Sequence, residues 1–230
     1  MLGQLGKEER GYPMEFEEKT RGLGLRNSLL MAASLALVFI GVVGLDQVSK
    51  IHAHSSLLVW EDPQDADLYR GGRSPVFAVG QKYAEPGAVP FFFQMQFQYS
   101  RNRGAAFSML SDLPDKVRVP FFYAVTAIAV VLIGFYLRST PAVHHLTRLG
   151  LVMILSGAIG NFLDRLTRGY VVDFIDTEWN ILGWQHNFAI FNVADVAINI
   201  GVAMLLIEML FQWIKERRHL RQTGATVAAK

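Results

Sequence analysis

The sequence predicts a mainly α-helical integral membrane protein, with four transmembrane helices and a small extracytoplasmic β-sheet formed by a long first outward loop. Three observations lead there. Apolar residues make up 51% of the 230 and are gathered into blocks of membrane length. Both ends of the chain are basic, and one polar connection contains a strictly alternating stretch. A bilayer-spanning helix needs about 20 predominantly apolar residues, within a range of about 17–25.

Residues 1–26 read as a polar tail carrying Lys7, Arg10, Lys19, Arg21 and Arg26. The charge-free run 28–45, SLLMAASLALVFIGVVGL, follows and sets the first span at 28–48. It is longer than the apolar part of a secretory signal and leads into DQVSK, which is no small-x-small cleavage site, so it is read as a retained helix. In the loop 50–117, residues 61–87 are rich in Asp, Gly and Pro and read as a surface insertion. Residues 93–99 (FQMQFQY) place Phe93, Met95, Phe97 and Tyr99 on one face and three glutamines on the other, the pattern of a half-buried strand lying on the bilayer. The second run, 119–137, sets a span at 118–137. The third, 149–163, is short and is extended to 146–165, with local bilayer thinning to match. The fourth, 188–214, is interrupted only by Asp195 and Glu208, and 215–230 is a second basic tail.

Basic tails at both ends and an even number of spans put both termini in the cytoplasm. The 138–148 connection is then cytoplasmic, and 50–117 and 166–187 face outward. On that topology Asp46, Asn102, Asn161, Arg165, Asp173, Asn192 and Asp195 all arrive at the outward end, with Glu208 near the opposite interface. Residues 27–214 thus form one membrane domain with its polar groups at one face.

Ionisable groups inside a span are costly and usually face a bundle interior or aqueous cavity. Asp195 in FNVADVAIN is expected about two turns inside span four, with Asn192 and Asn199 on the same helical face. Asp173 is expected in an apolar turn after span three, close to Asp195 in depth. Two adjacent carboxylates cannot both ionise, so one keeps its proton and the other can take a proton from attacking water. Asn161 and Arg165 share a helical face, and bracing is the role expected of both. Asp46 and Lys50 read as an i,i+4 ion pair at a span terminus. In NRGAAF, Gly104 permits close backbone approach and Asn102 could orient a substrate main chain.

Other chemistries find less. Without cysteine there are no disulfides, thiolate nucleophiles or Cys metal sites. The six histidines show no HExxH spacing, and neither a phosphate loop nor an aromatic–basic stripe occurs, so no metal, cofactor or nucleic acid is expected. Ser156–Gly157 lacks the context of an intramembrane serine protease, and the adjacent Ser49 and Lys50 diverge by about 100 degrees on a helix.

Five words in order, DQVSK (46–50), NRGAAFSML (102–110), SGAIGNFLDR (156–165), GYVVDFID (169–176) and FNVADVAINIG (191–201), closely resemble the bacterial lipoprotein signal peptidases, or signal peptidase II. The resemblance covers most of 28–214. It implies an aspartic endopeptidase of the bacterial cytoplasmic (inner) membrane, inhibited by the cyclic peptide globomycin. Such an enzyme cuts prolipoproteins just before a diacylglyceryl-modified cysteine. Asp173 and Asp195 would be its catalytic pair, and Asp46, Lys50, Asn102, Gly104, Asn161, Arg165 and Asn192 would bind substrate or brace the site. The expected partners are lipid-modified prolipoproteins and membrane phospholipid, and the expected state is a monomer. Strand 93–99 is expected to cradle the peptide, and 174–187, with Trp179 and Trp184, to act as a mobile lid. Ser156, Ala189 and the longer outward loop depart from the family pattern without touching the pair. The competing readings are a proton-coupled carrier and an assembly subunit; a relay would need acidic groups at several depths, whereas these cluster at one face.

Overall fold

The computed structural model describes residues 14–64, 68–80, 91–104 and 113–228, with side chains placed for those between 26 and 220. The order is α1 (Met14–Leu57), β1 (Leu58–Glu61), β2 (Tyr69–Gly71), β3 (Arg73–Gly80), β4 (Phe91–Asn102), α2 (Asp115–Ser139), α3 (His145–Arg168), β5 (Val171–Ile181), β6 (Trp184–Asn187) and α4 (Val193–Ala228). Arg26–Leu57, Asp115–Ser139, His145–Arg168 and Val193–Leu220 are each long and apolar enough to cross a membrane. The chain divides into Met1–Leu37, helical over its described part, and Val38–Lys230, which holds the site.

Both ends of the first and of the fourth helix differ from the sequence reading, and α4 runs on to Ala228 through most of the expected 215–230 tail. Span one was expected to stop at 48 because Asp46 and Lys50 looked like a terminus. The helix instead continues to Leu57, because those two charges satisfy each other one turn apart inside the fold. Span four was expected from 188, yet α4 starts at Val193. Phe191 is taken up by a bridge to β5: its carbonyl accepts from Ile175 N–H at 2.8 Å and its N–H donates to the Ile175 carbonyl at 3.0 Å. Apolar strand and apolar helix look alike over so few residues. At the other end of α1, the helix begins at Met14, inside the expected tail.

α3 and α4 cross through small residues. A Cβ on Gly201 would lie 2.5 Å from the Gly150 carbonyl oxygen, and one on Gly157 would lie 2.3 Å from that of Ala194. Within lipid, hydrophobic transfer gives helices no reason to associate, so close backbone packing at small residues takes over. The faces carrying Leu132, Phe135, Leu206 and Phe211 are exposed, as lipid-facing surfaces would be. Gly169, in the left-handed conformation at φ 78°, ends α3 and donates its N–H to the Arg165 carbonyl at 3.1 Å, turning the chain into β5.

The sheets also differ from expectation. A four-stranded antiparallel sheet runs β3-β4-β5-β6, beside a separate β1-β2 hairpin. Half of the larger sheet therefore comes from the connection between α3 and α4, not from the first outward loop alone. Residues 174–187, expected to be a lid, are mostly β5 and β6, with β5 hydrogen-bonded on both sides. The expected insertion 61–87 contributes β2 and the exposed strand β3, with parts of it outside the described residues. Beneath the sheet, Ala53, Tyr99, Tyr170, Val172 and Phe174 form a buried cluster on the extension of α1. Arg101 lies 4.7 Å from the ring centres of both Tyr69 and Tyr170 and pairs with Glu61.

Replacing Gly201 with valine forces a side chain into the Gly150 backbone. It is expected to cost about 1–3 kcal/mol, the usual range for overpacking. Thermal unfolding of the detergent-solubilised protein would show it as a lowered midpoint, whereas Gly134→Val, where nothing lies within 4 Å of the added carbon, should leave the midpoint near the parent's.

Candidate active site

Five elements bring their polar residues to one end of the helices: the second half of α1, the end of β4, the end of α3, the start of β5 and the start of α4. The nine expected site residues all contribute. Asp173 is buried in β5, not in a turn, because it pairs in register with Ser100 of β4. A one-residue shift in the β4–β5 register between Phe97 and Ser100 makes this possible. Bulges of this kind re-aim side chains next to functional sites. After the shift Asn102 lies opposite Val171, on the same face as Asp173, and its Nδ2 donates to Asp173 Oδ2 at 2.9 Å.

Asp195 lies in the first turn of α4, not two turns inside it. Asn192 sits just before the helix as its cap. The Asn192 Oδ1 accepts from Asp195 N–H at 3.1 Å, while Asp195 Oδ2 accepts from Asn192 N–H at 3.2 Å. This is a reciprocal capping box with an aspartate in the usual Glu position, and it satisfies two otherwise orphaned donors at once. Asn199, expected on the same face, is exposed and donates to the Asp195 carbonyl at 2.9 Å, away from both carboxylates.

Asparagines connect the two carboxylates. Asn192 Nδ2 donates to Asp173 Oδ1 at 2.6 Å and lies 3.2 Å from Asn161 Oδ1, and Asn161 Nδ2 donates to Asp195 Oδ1 at 2.9 Å. Asn192 thus touches both aspartates, one by its side chain and one by its backbone. Burial, followed by the neighbouring Asp195 charge, pushes the Asp173 carboxyl up to about 7 despite the hydrogen bonds from Asn102 and Asn192. A carboxyl that holds a proton near neutral pH beside a second carboxyl has the form of an acid–base pair.

Around this pair the other residues hold backbone. Arg165 donates to the Gly104 carbonyl at 2.7 Å and to the Asn161 carbonyl at 3.3 Å, and its guanidinium lies 4.2 Å from the centre of the Phe122 ring. Asn102 Oδ1 accepts from Gly104 N–H at 2.9 Å, closing the turn after β4. Residues 105–110 of the NRGAAFSML word lie outside the described residues.

Asp46 and Lys50 are not a surface pair: both are fully buried, and so is Asp164, whose carboxylate lies 3.2 Å from Lys50 Nζ. Sequence reasoning missed Asp164 although it stands inside the quoted GNFLDR. Its i,i+4 spacing to Arg168 resembles an ordinary helix-surface pair, and only the packing of α1 against it reveals the burial. Gln47, which donates to Asp46, Asp164 and the Gly160 carbonyl, was missed for the same reason.

The family model for signal peptidase II matches residues 38–211, a stretch that contains every one of these residues. The chain belongs to the signal peptidase II family. A lipoprotein signal peptidase from Syntrophotalea carbinolica is 44% identical to it over 131 residues, covering 57% of this chain and 74% of that one. Another from Anaeromyxobacter sp. is 34% identical over 181 residues, covering 76% and 83%. A solved bacterial membrane enzyme superposes with a TM-score of 0.53 at 27% identity, covering 77% of this chain and 93% of its own. With four helices of membrane length, this signal peptidase II family member is a multi-pass bacterial membrane protein and a peptidase.

Substituting Asn192 by alanine removes the cap and the Asp173 contact together. Loss of a cap costs about 0.5–2 kcal/mol, and a buried group left without its partner adds to it. The expected result is a lower unfolding midpoint, and Asp173 should hold its proton to still higher pH.

Proposed function

We propose that this chain is an intramembrane aspartic endopeptidase that removes the signal peptide from diacylglyceryl-modified prolipoproteins, cutting just before the lipidated cysteine. The observation that carries this reading is the shared asparagine: Asn192 binds both Asp173 and Asp195, while Asp173 keeps a proton to about neutral pH. One carboxyl is then protonated and the other ionised under working conditions. The ionised member takes a proton from water as the water attacks the scissile carbonyl. The protonated member donates a hydrogen bond to the developing oxyanion and later protonates the leaving amine. No covalent intermediate is required, and burial strengthens each interaction by lowering the local dielectric.

The remaining assignments follow from chemistry and charge placement. A diacylglyceryl anchor would hold the cleavage point at the membrane surface, beside helix ends whose outer faces suit acyl chains. Asn102 and Gly104 would meet substrate main chain, with Arg165 fixing their turn. Asp46, Lys50, Asn161 and Asn192 would brace the pair. The 1–26 and 215–230 segments would be cytoplasmic, the site would face outward from the inner membrane, and the working form would be a monomer. Globomycin would bind in place of substrate beside the aspartate pair.

The test is cleavage of a purified diacylglyceryl-modified prolipoprotein in detergent. Asp173→Asn and Asp195→Asn are each expected to lower kcat/KM by at least about 10²–10⁴-fold, the usual share of a positioned acid or base, with the fold retained. Near-parent cleavage by either variant would refute the pair. For the parent, activity should fall as pH rises through about 7, because the pair then loses the proton that the oxyanion needs. That limb belongs to the coupled pair, not to one residue. Activity that stays flat between pH 6 and 9 would contradict the shared proton.

A further inference from the structure

Lys50 lies on α1, shows no exposed surface, and is too deep in the protein to meet substrate directly. Its ammonium donates to Asp46 Oδ2 at 2.8 Å and to Asn161 Oδ1 at 2.9 Å, and lies 3.2 Å from Asp164 Oδ2. What those two carboxylates do with their remaining capacity is informative. Asp46 Oδ1 accepts the backbone N–H of Ala194 at 2.9 Å, one residue before Asp195. Asp164 Oδ2 accepts the backbone N–H of Val172 at 3.0 Å, one residue before Asp173. The third partner, Asn161, is turned by Lys50 so that its Nδ2 faces Asp195.

We infer that Asp46, Lys50 and Asp164 form a positioning hub that sets the separation of the catalytic aspartates, by gripping the backbone immediately before each of them and joining the two grips through one ammonium. The inference rests on the dyad proposed above and assigns these three residues a specific role within it. A simple stabilising ion cluster has no need to hold both of those N–H groups. Buried ion pairs contribute little net stability against apolar replacements, so a hub retained inside a helix interface calls for another use. Gly160 makes room for it, since a Cβ there would lie 2.5 Å from Asp46 Oδ2. Arg168 pairs with Asp164 at the rim, so two carboxylates face two cations.

The hub also acts on the dyad through charge. Asp173 is faced by Asp195 on α4 and Lys50 on α1, and Arg165 on α3 lies within its electrostatic reach. Asp164 on α3 sits between Lys50 and the strand, and β4 offers the neutral Asn102, while Arg101 lies on the Tyr69 and Tyr170 rings. The Lys50 charge favours ionised Asp173. Removing it should therefore raise the pH at which the dyad loses its proton, and removing the Asp164 charge should lower it.

The experiment measures kcat, KM and the alkaline limb of the pH profile for Lys50→Met, Lys50→Arg and Asp164→Asn on the same lipid-modified prolipoprotein. Unfolding midpoints are recorded in parallel. Lys50→Met and Asp164→Asn are each expected to lower kcat by about 10–100-fold, the scale of a misplacement of about 1 Å, with KM changed by less than about threefold. Their alkaline limbs should move in opposite directions, upward for Lys50→Met and downward for Asp164→Asn, and Lys50→Arg should restore part of kcat. A cluster that only stabilises would lower the midpoints and leave kcat of the folded variants near the parent's, and that result overturns the hub. Should Lys50→Met fail to fold, Asp164→Asn carries the test, because asparagine still offers Val172 N–H an acceptor for folding but loses the ionic link to the Lys50 ammonium that joins the two grips. Asp173→Asn and Asp195→Asn run alongside. Cleavage by those two would sink the dyad itself, whereas inactive dyad variants beside a parent-like Lys50→Met would sink only the hub.

Discussion

The architecture depends on one constraint: charges placed where water is scarce must find partners inside the protein. Asp46, Lys50 and Asp164 are fully buried and satisfy one another across α1 and α3. Their spare acceptors then take up backbone donors of α4 and β5. The penalty for burying an ion is several kcal/mol even after relaxation, so such a group tolerates little slack in its geometry. Four segments distant in sequence are thereby brought to a common point, and the two aspartates of the proposed pair extend from two of them.

Small residues serve the same end. Gly150, Gly157, Gly160 and Gly201 let helix backbones, and one carboxylate, approach closer than any side chain would allow. Close approach shortens the reach from Asn161 to Asp195, which two short polar side chains could not otherwise span. Packing and electrostatics are thus one arrangement in this region: the glycines create the contact, and the polar network uses it. The sheet adds the last component by carrying Asp173 and Asn102 on adjacent strands under hydrogen-bond control, a stiffer mounting than a loop would give.

The signal peptidase II match spans the whole of this polar network. The chemistry proposed for it asks for a water, a carbonyl and two carboxyls at a fixed spacing, and the polar network described above surrounds the two aspartates of that proposal. The exposed apolar faces of the four helices belong to a different requirement, solvation by lipid, and they tolerate far more freedom of composition.

The four membrane-length helices were legible because run length and charge placement are properties of the chain alone. So was the gathering of Asp173, Asp195, Asn102, Asn161, Arg165 and Asn192 at one end, which follows from counting spans. Tertiary structure decided the rest. Helix or strand at 188–192 turned on a hydrogen-bonded bridge to Ile175, which apolar composition cannot reveal. The strand role of 174–187 came from pairing with β4, a partner some eighty positions away in sequence. The register shift after Phe97 moved Asn102 onto the face of Asp173, and no alternation pattern foretells a bulge. The sequence carries no mark that Asp164 is buried, because that burial comes from Gln47 and Lys50 of α1 packed against it. Local order follows from neighbours along the chain, but burial and register are properties of neighbours in space.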